Sequence, residues 1–259
     1  RAARNLATFS KLITKFEYLH YVTVLNPEFL EKDLRNLFNQ TQSPLAIAAN
    51  VGALLYPITK AEYQAGSVPT PAQLFSHSDQ SVVWQQTRAD APDRRGWGGR
   101  LADMFYASNT NQQLSMNISI DGENVFQAGD EVIPYFVGQG GAEGIWYVEP
   151  WQADRRAAFI ALRDAAHGNA LQRQFASVVR RSMNNQVMVN GALEGETPLT
   201  TTFPDTHLGR QLQMVARLIH VRNTLQMQRQ IFFVGLGGFD THDNQLADLA
   251  EQLTELDGA

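Results

Sequence analysis

No cysteine occurs among the 259 residues of this chain. Disulfide staples and thiolate metal sites are thereby excluded, while the compartment stays open. Lysine is nearly missing too: Lys11, Lys15, Lys32 and Lys60 are the four, and the rest of the positive charge is arginine. With 21 basic against 26 acidic residues the net charge is -5, which argues against nucleic acid as a partner, since phosphate binding wants clustered cations on a basic background. No apolar run approaches the ~20 residues that a membrane-spanning helix needs, so no span is expected and the chain reads as soluble. Internal repeats and low-complexity tracts are also lacking.

What is present suits a globular domain: 44% of the residues are hydrophobic and 18% charged. The length fits one α/β domain with a sizeable core. Helical periodicity is expected through the first forty residues, with Phe29, Leu30, Leu34, Leu37 and Phe38 on one stripe. Leu45 to Val51 and Ile231 to Val234 read as short strands covered on both faces. Leu54 to Thr70 reads mostly as loop, and a helix follows from Gln80 to Thr87. Met116–Ile120 and Asn124–Phe126 flank Asp121-Gly122, a strong hairpin signal, and the alternating Asn117 and Ser119 ask for solvent on one side. Glu131 to Phe136 is a further candidate strand. Trp151 to about Met183 is expected to be helical with a break near Gly168, Asn184 to Phe203 to be loop, and Leu208 to Met227 a long amphipathic helix. The resulting fold class is α/β, a mainly parallel sheet in a three-layer arrangement with a β-hairpin insertion over about 114–137.

Three stretches could carry chemistry. After the Ile231 strand, Gly235, Gly237 and Gly238 allow tight turning, and Asp240 and His242 stand two apart, so a carboxylate and an imidazole can converge on one cation. The plainer alternative is a capped strand-to-helix loop. Ser76-His77-Ser78-Asp79 begins a helix, where free N–H groups favour an anion and a serine beside a metal could act as nucleophile. Its alternative is a simple N-cap. Gly96-Trp-Gly-Gly-Arg100 reads as a glycine-rich turn whose Arg100 could fork onto an anionic group, or form an ion pair. The glycine spacing is not that of a Walker loop. His207 could reach a pocket from a helix start, with a capping neighbourhood as the alternative, and His20, His167 and His220 are expected to be structural.

Taken in order, Ala49-Asn-Val-Gly52, Leu74-Phe-Ser-His-Ser-Asp-Gln80 with Trp84, Gly96-Trp-Gly-Gly-Arg-Leu-Ala-Asp103 and Gly237-Gly-Phe-Asp-Thr-His-Asp243 resemble the bacterial DUF1501 family, from about Leu45 onward. That family is similar to the alkaline phosphatase and sulfatase superfamily. The resemblance implies a sheet of alkaline-phosphatase-like type, a metal site at the strand ends, and a periplasmic or secreted location. Family members also carry an early Gly-Gly-x-Asp-Gly-like motif, a later Ser-Asp-Phe-Gly-Arg-Thr motif and an Asp-His-Gly motif, none of which matches here. The expectation is therefore a partial domain over 1–259 with only part of the ligand set.

The functional expectation is an exported metal-dependent hydrolase of phosphate or sulfate esters. Asp240 and His242 would be ligands to a divalent ion, with zinc or manganese favoured over calcium by the mixed donor set. Ser78 or Ser76 would be the nucleophile, with His77 and Arg100 touching a small anionic ester. The alternative is a non-catalytic exported protein that retains the fold for binding or assembly.

Overall fold

The computed structural model of the protein describes residues 55, 57–71, 73–74, 76–88, 90, 94–241 and 243–259. The expected helices of the first forty residues, the strand at Leu45–Val51 and the candidate ligand His242 lie outside the described residues.

Three short strands form one parallel sheet: β1 (Asn117–Ser119), β2 (Tyr135–Phe136) and β3 (Ile231–Phe233), in the order β2-β1-β3. Ile118 sits opposite both Tyr135 and Phe232, so β1 is the central strand. The ladder continues beyond the strands through Ile231 N–H to the Met116 carbonyl at 2.7 Å and Ile120 N–H to the Phe233 carbonyl at 2.9 Å.

This arrangement overturns the hairpin. Met116–Ile120 does not turn back at Asp121-Gly122 to pair with Asn124–Phe126; both of its neighbours run parallel to it. The alternation of polar residues was read as one wet face, yet Asn117 and Ser119 are both 0% exposed. Their side-chain donors are met internally, while Oδ1 of Asn117 is left buried without a partner. Asn117 Nδ2 donates to the Gln127 carbonyl at 2.7 Å, and the Ser119 hydroxyl donates to the Gly122 carbonyl at 2.6 Å. Gln127 Nε2 in turn donates to the Ile118 and Ile231 carbonyls at 3.1 and 3.0 Å, tying the two strands together from one side chain. A buried polar group that finds its hydrogen bonds costs little, and this lets a central strand mimic the pattern of an edge hairpin.

Seven α-helices accompany the sheet among the described residues: α1 (Lys60–Ala65), α2 (His77–Gln86), α3 (Trp97–Phe105), α4 (Ala153–Asp164), α5 (Ala170–Glu194), α6 (His207–His220) and α7 (Gln245–Gly258). Helix α1 falls in the stretch expected to be loop. Its start is a capping box in which Thr59 Oγ1 accepts from Glu62 N–H and the Glu62 carboxylate accepts from Thr59 N–H. The break near Gly168 is where α4 gives way to α5, with the Asn169 side chain accepting from Gln172 N–H at 2.9 Å. Helix α5 then runs through the expected loop at Asn184 to Glu194. Asn185 is buried and donates to the Gln113 carbonyl at 3.1 Å, while Val189, Ala192 and Leu193 join the core. Helix α6 stops at His220, short of Met227.

The core brings Ile118 and Ile120 of the β1 region together with Leu208, Met214, Val215 and Leu218 of α6 and Leu249 and Leu253 of α7. Glycines decide how α3 joins it. A Cβ on Gly96 would overlap the Phe126 carbonyl, and one on Gly99 the Ala128 carbonyl. Gly99 N–H donates to the Phe126 carbonyl at 2.9 Å, so this helix start docks backbone to backbone on residues 125–129. Gly96-Trp-Gly-Gly-Arg100 is therefore a helix start with a Gly96 N-cap rather than an open turn. No helix of the described residues is long and apolar enough to cross a membrane.

Candidate functional site

β3 leads into the loop that carries Asp240, and the loop's first residue is clamped. The Gln211 side chain of α6, fully buried, donates through Nε2 to the Gly235 carbonyl at 2.8 Å and accepts the Gly235 N–H through Oε1 at 2.9 Å. A Cβ on Gly235 would run into the carboxylate of Asp121, which would have to swing aside. Further along, Gly238 turns at φ 89°, and Phe239 plugs into the core. Asp240 emerges half-exposed beyond that plug.

α2 supplies the opposing side. Ser76 is its N-cap: the hydroxyl accepts from Asp79 N–H at 3.4 Å and donates to the Asp79 carboxylate. Ser78 stands 3.3 Å from it, oxygen to oxygen. His77 is the first helical residue, and its Nδ1 lies 3.0 Å from Oδ2 of Asp240. Both side chains are about half-exposed, at 54% and 48%. Loop residue and helix start, 163 positions apart in the chain, thus meet in an imidazole–carboxylate pair.

Arg100 does something else. Its guanidinium donates to the Gln86 carbonyl at 2.8 Å, to Thr87 Oγ1 at 3.0 Å and to the Arg95 carbonyl at 3.1 Å. Two of these acceptors, on Gln86 and Thr87, lie at the C-terminal end of α2, where a cation also complements the helix dipole, and the third lies just before α3. Arg100 thereby joins α3 to α2, and the structure does not bring it together with Asp240 through any of these bonds.

A second polar cluster joins His207, which its place at a helix start lets reach a pocket, to Asp121, which the sequence marks only as a turn residue. Asp121 follows the end of β1, and its Oδ1 lies 3.6 Å from Nε2 of His207, the first residue of α6. His207 Nδ1 is 3.2 Å from Gln139 Nε2, and Gln139 Oε1 accepts from Arg210 Nε at 3.0 Å. The signal was there in part: a residue just after a parallel strand lies at the sheet's carboxyl edge, where ligands gather in open α/β sheets. Reading β1 as a hairpin strand hid Asp121 from that rule. A cavity of about 570 Å³ runs beside β2 and α5, and Ile120, Gly122 and Gly138, the chain neighbours of Asp121 and Gln139, line it as well. Tyr135 lines it, and burial pushes this phenol up to about 12.

A nitrogen and an oxygen 3.0 Å apart can occupy neighbouring positions on an ion with bonds of about 2.1 Å. His77 and Asp240 thus fit two donor positions, and among the described residues no group of three His, Asp or Glu completes a set. The architecture defines an α/β protein with a small open parallel sheet. No protein-family model matches the chain, and no curated protein or solved structure matches it.

Proposed function

We propose that this chain is part of an exported, metal-dependent hydrolase of phosphate or sulfate esters, of the alkaline-phosphatase-like type that its motifs resemble. The observation that supports the reading is the approach of His77 to Asp240. An exposed pair of this kind contributes about 0–1 kcal/mol to stability, so the fold gains little from holding it there. A site is a better reason for the juxtaposition.

In this reading Asp240 and His242 hold the ion, with zinc or manganese preferred, and His77 stands beside them as a further donor or as a contact to the ester's anionic group. A bound cation would lower the pKa of the nucleophile and neutralise charge developing on the transferred group. Of the two serines, Ser78 is the better nucleophile. Ser76 spends its hydroxyl on capping α2, whereas Ser78 needs only to turn away from Ser76. The N-terminal N–H groups of α2 add a favourable field for a phosphate or sulfate. Arg100 is left out of the substrate contacts because its guanidinium is engaged by the Gln86 and Arg95 carbonyls and the Thr87 hydroxyl.

Elemental analysis after chelator-free purification tests the proposal, together with turnover of an aryl phosphate and an aryl sulfate. Asp240→Asn and His242→Ala are expected to lower the affinity for a divalent ion about ten-fold or more with unchanged circular dichroism, and His77→Ala to do so only where the imidazole is itself a donor. Ser78→Ala should keep the metal and lose turnover. Equal metal affinity in the wild type and in both the Asp240 and His242 variants would remove the hydrolase reading and leave a binding or assembly protein.

A further inference from the structure

Helices α4 and α5 form a hairpin that stands out from the rest of the chain in both packing and charge. No residue of α4 is buried, and its packing partner is α5. On this hairpin and the segment entering it, Trp146, Tyr147, Trp151, Leu162, Leu171 and Phe175 are between 64% and 83% exposed. Two of the protein's four tryptophans are among them. Phe159, Leu162, Leu171, Phe175 and Val179 surround an apolar hollow of about 460 Å³ between the two helices. Six large apolar side chains left in water, three on the helices and three in residues 146–151 just before them, call for an occupant.

Charge says which. The protein as a whole carries -5, yet residues 146–181 contain six arginines against only Glu149, Asp154 and Asp164. Asp164 is already shared, accepting from Arg163 at 2.7 Å and Arg180 at 2.7 Å. Hydrogen bonds from Arg163 and then Arg180 hold its carboxyl far below the usual range, so it stays ionised and the pair of arginines outweighs it. Arg156 and Arg173 donate to backbone carbonyls of Val148, His167 and Gly168, which carry no charge to cancel theirs. The Arg155 guanidinium lies 5.7 Å from the centre of the Tyr147 ring, setting a cation beside an exposed aromatic.

We propose that the α4–α5 hairpin is a docking surface for an anionic lipid bilayer. The composition is that of an interfacial element: leucine and phenylalanine for the acyl boundary, tryptophan and tyrosine for the headgroup level, and arginines whose stems lie on apolar surface while their heads reach lipid phosphates. The hollow between the helices provides an apolar surface open to acyl chains. A second copy of this acidic chain is the competing occupant, and it is distinguished below.

The test is co-sedimentation of the purified chain with phosphatidylcholine vesicles, with and without phosphatidylglycerol at about one lipid in three. Tryptophan emission is followed in parallel. Binding to the anionic vesicles is expected to exceed binding to neutral ones by about ten-fold or more, to weaken with added salt, and to shift the emission to the blue. Trp151→Ala with Leu171→Ser should lose most of the binding, and Arg173→Glu with Arg181→Glu most of the preference for anionic lipid. All four side chains are exposed, so circular dichroism should not change. Absent binding, equal affinity for both vesicle types, or variants that bind like wild type would overturn the proposal. So would concentration-dependent dimerisation in sedimentation velocity that Leu171→Ser abolishes without any vesicle binding, which would assign the surface to a second copy.

Discussion

Gln211 shows how much one side chain can decide. It is fully buried on α6, and its amide satisfies both backbone groups of Gly235, the first step of the loop toward Asp240. Gln211→Leu keeps the bulk and removes both partners, leaving a buried N–H and a buried C=O unpaired. We expect a loss of about 3 kcal/mol in urea denaturation, since each orphaned group costs about 1–3 kcal/mol and the loop can relax to regain part of it. Metal content should fall as well, because the clamp orients the loop that carries Asp240. A change below about 0.5 kcal/mol would mean that the loop is held elsewhere. Asp103 works in a similar way, its carboxylate accepting from the N–H groups of Asp130, Glu131 and Val132 at 2.7, 3.1 and 2.9 Å.

At the scale of elements, the glycines of α3 and α5 have opposite reasons to exist. Gly99 presses against the Ala128 carbonyl, so a methyl group there must displace backbone. Gly191, inside α5, has no atom within 4 Å of where its Cβ would stand. The same substitution should therefore change sign. Gly99→Ala is expected to destabilise by about 1–3 kcal/mol through overpacking, and Gly191→Ala to stabilise by up to about 1 kcal/mol through helix propensity. Thermal melting of the two variants checks the pair, and a neutral Gly99→Ala would show that α3 does not need its backbone contact. Trp97 supports the same docking, its ring meeting Phe126 edge-on with centroids 4.5 Å apart.

For the whole molecule, Tyr135 couples a buried phenol to global unfolding. Burial raises it from 10.0 to about 12, which means that the folded state resists its ionisation. With the folded value above the unfolded one, the stabilising contribution is complete below pH 10 and is lost as pH rises toward 12. Wild-type stability should thus fall more steeply with pH across this window than that of Tyr135→Phe. Urea midpoints measured on both proteins decide it, and parallel pH profiles would place the phenol in water.

Some of this protein was legible from residues alone because the signals were local. Ile231–Val234 was read as a strand from its apolar run, and β3 covers Ile231–Phe233. The α4–α5 break at Gly168 and Asn169 and the capping chemistry of Ser76 follow from backbone preferences that act within a turn or two. The sequence on its own also determined an acidic, cysteine-free chain whose positive charge is almost all arginine. Only the tertiary structure decided the direction of β1, because the Gln127 and Gly122 carbonyls, brought back by the loop, accept from the Asn117 amide and the Ser119 hydroxyl in place of water. It also sent Arg100 to the end of α2 and set His77 against Asp240. Such pairings depend on which segments become neighbours, and residues far apart in sequence carry no local signal of the partner that will answer their hydrogen bonds or charge.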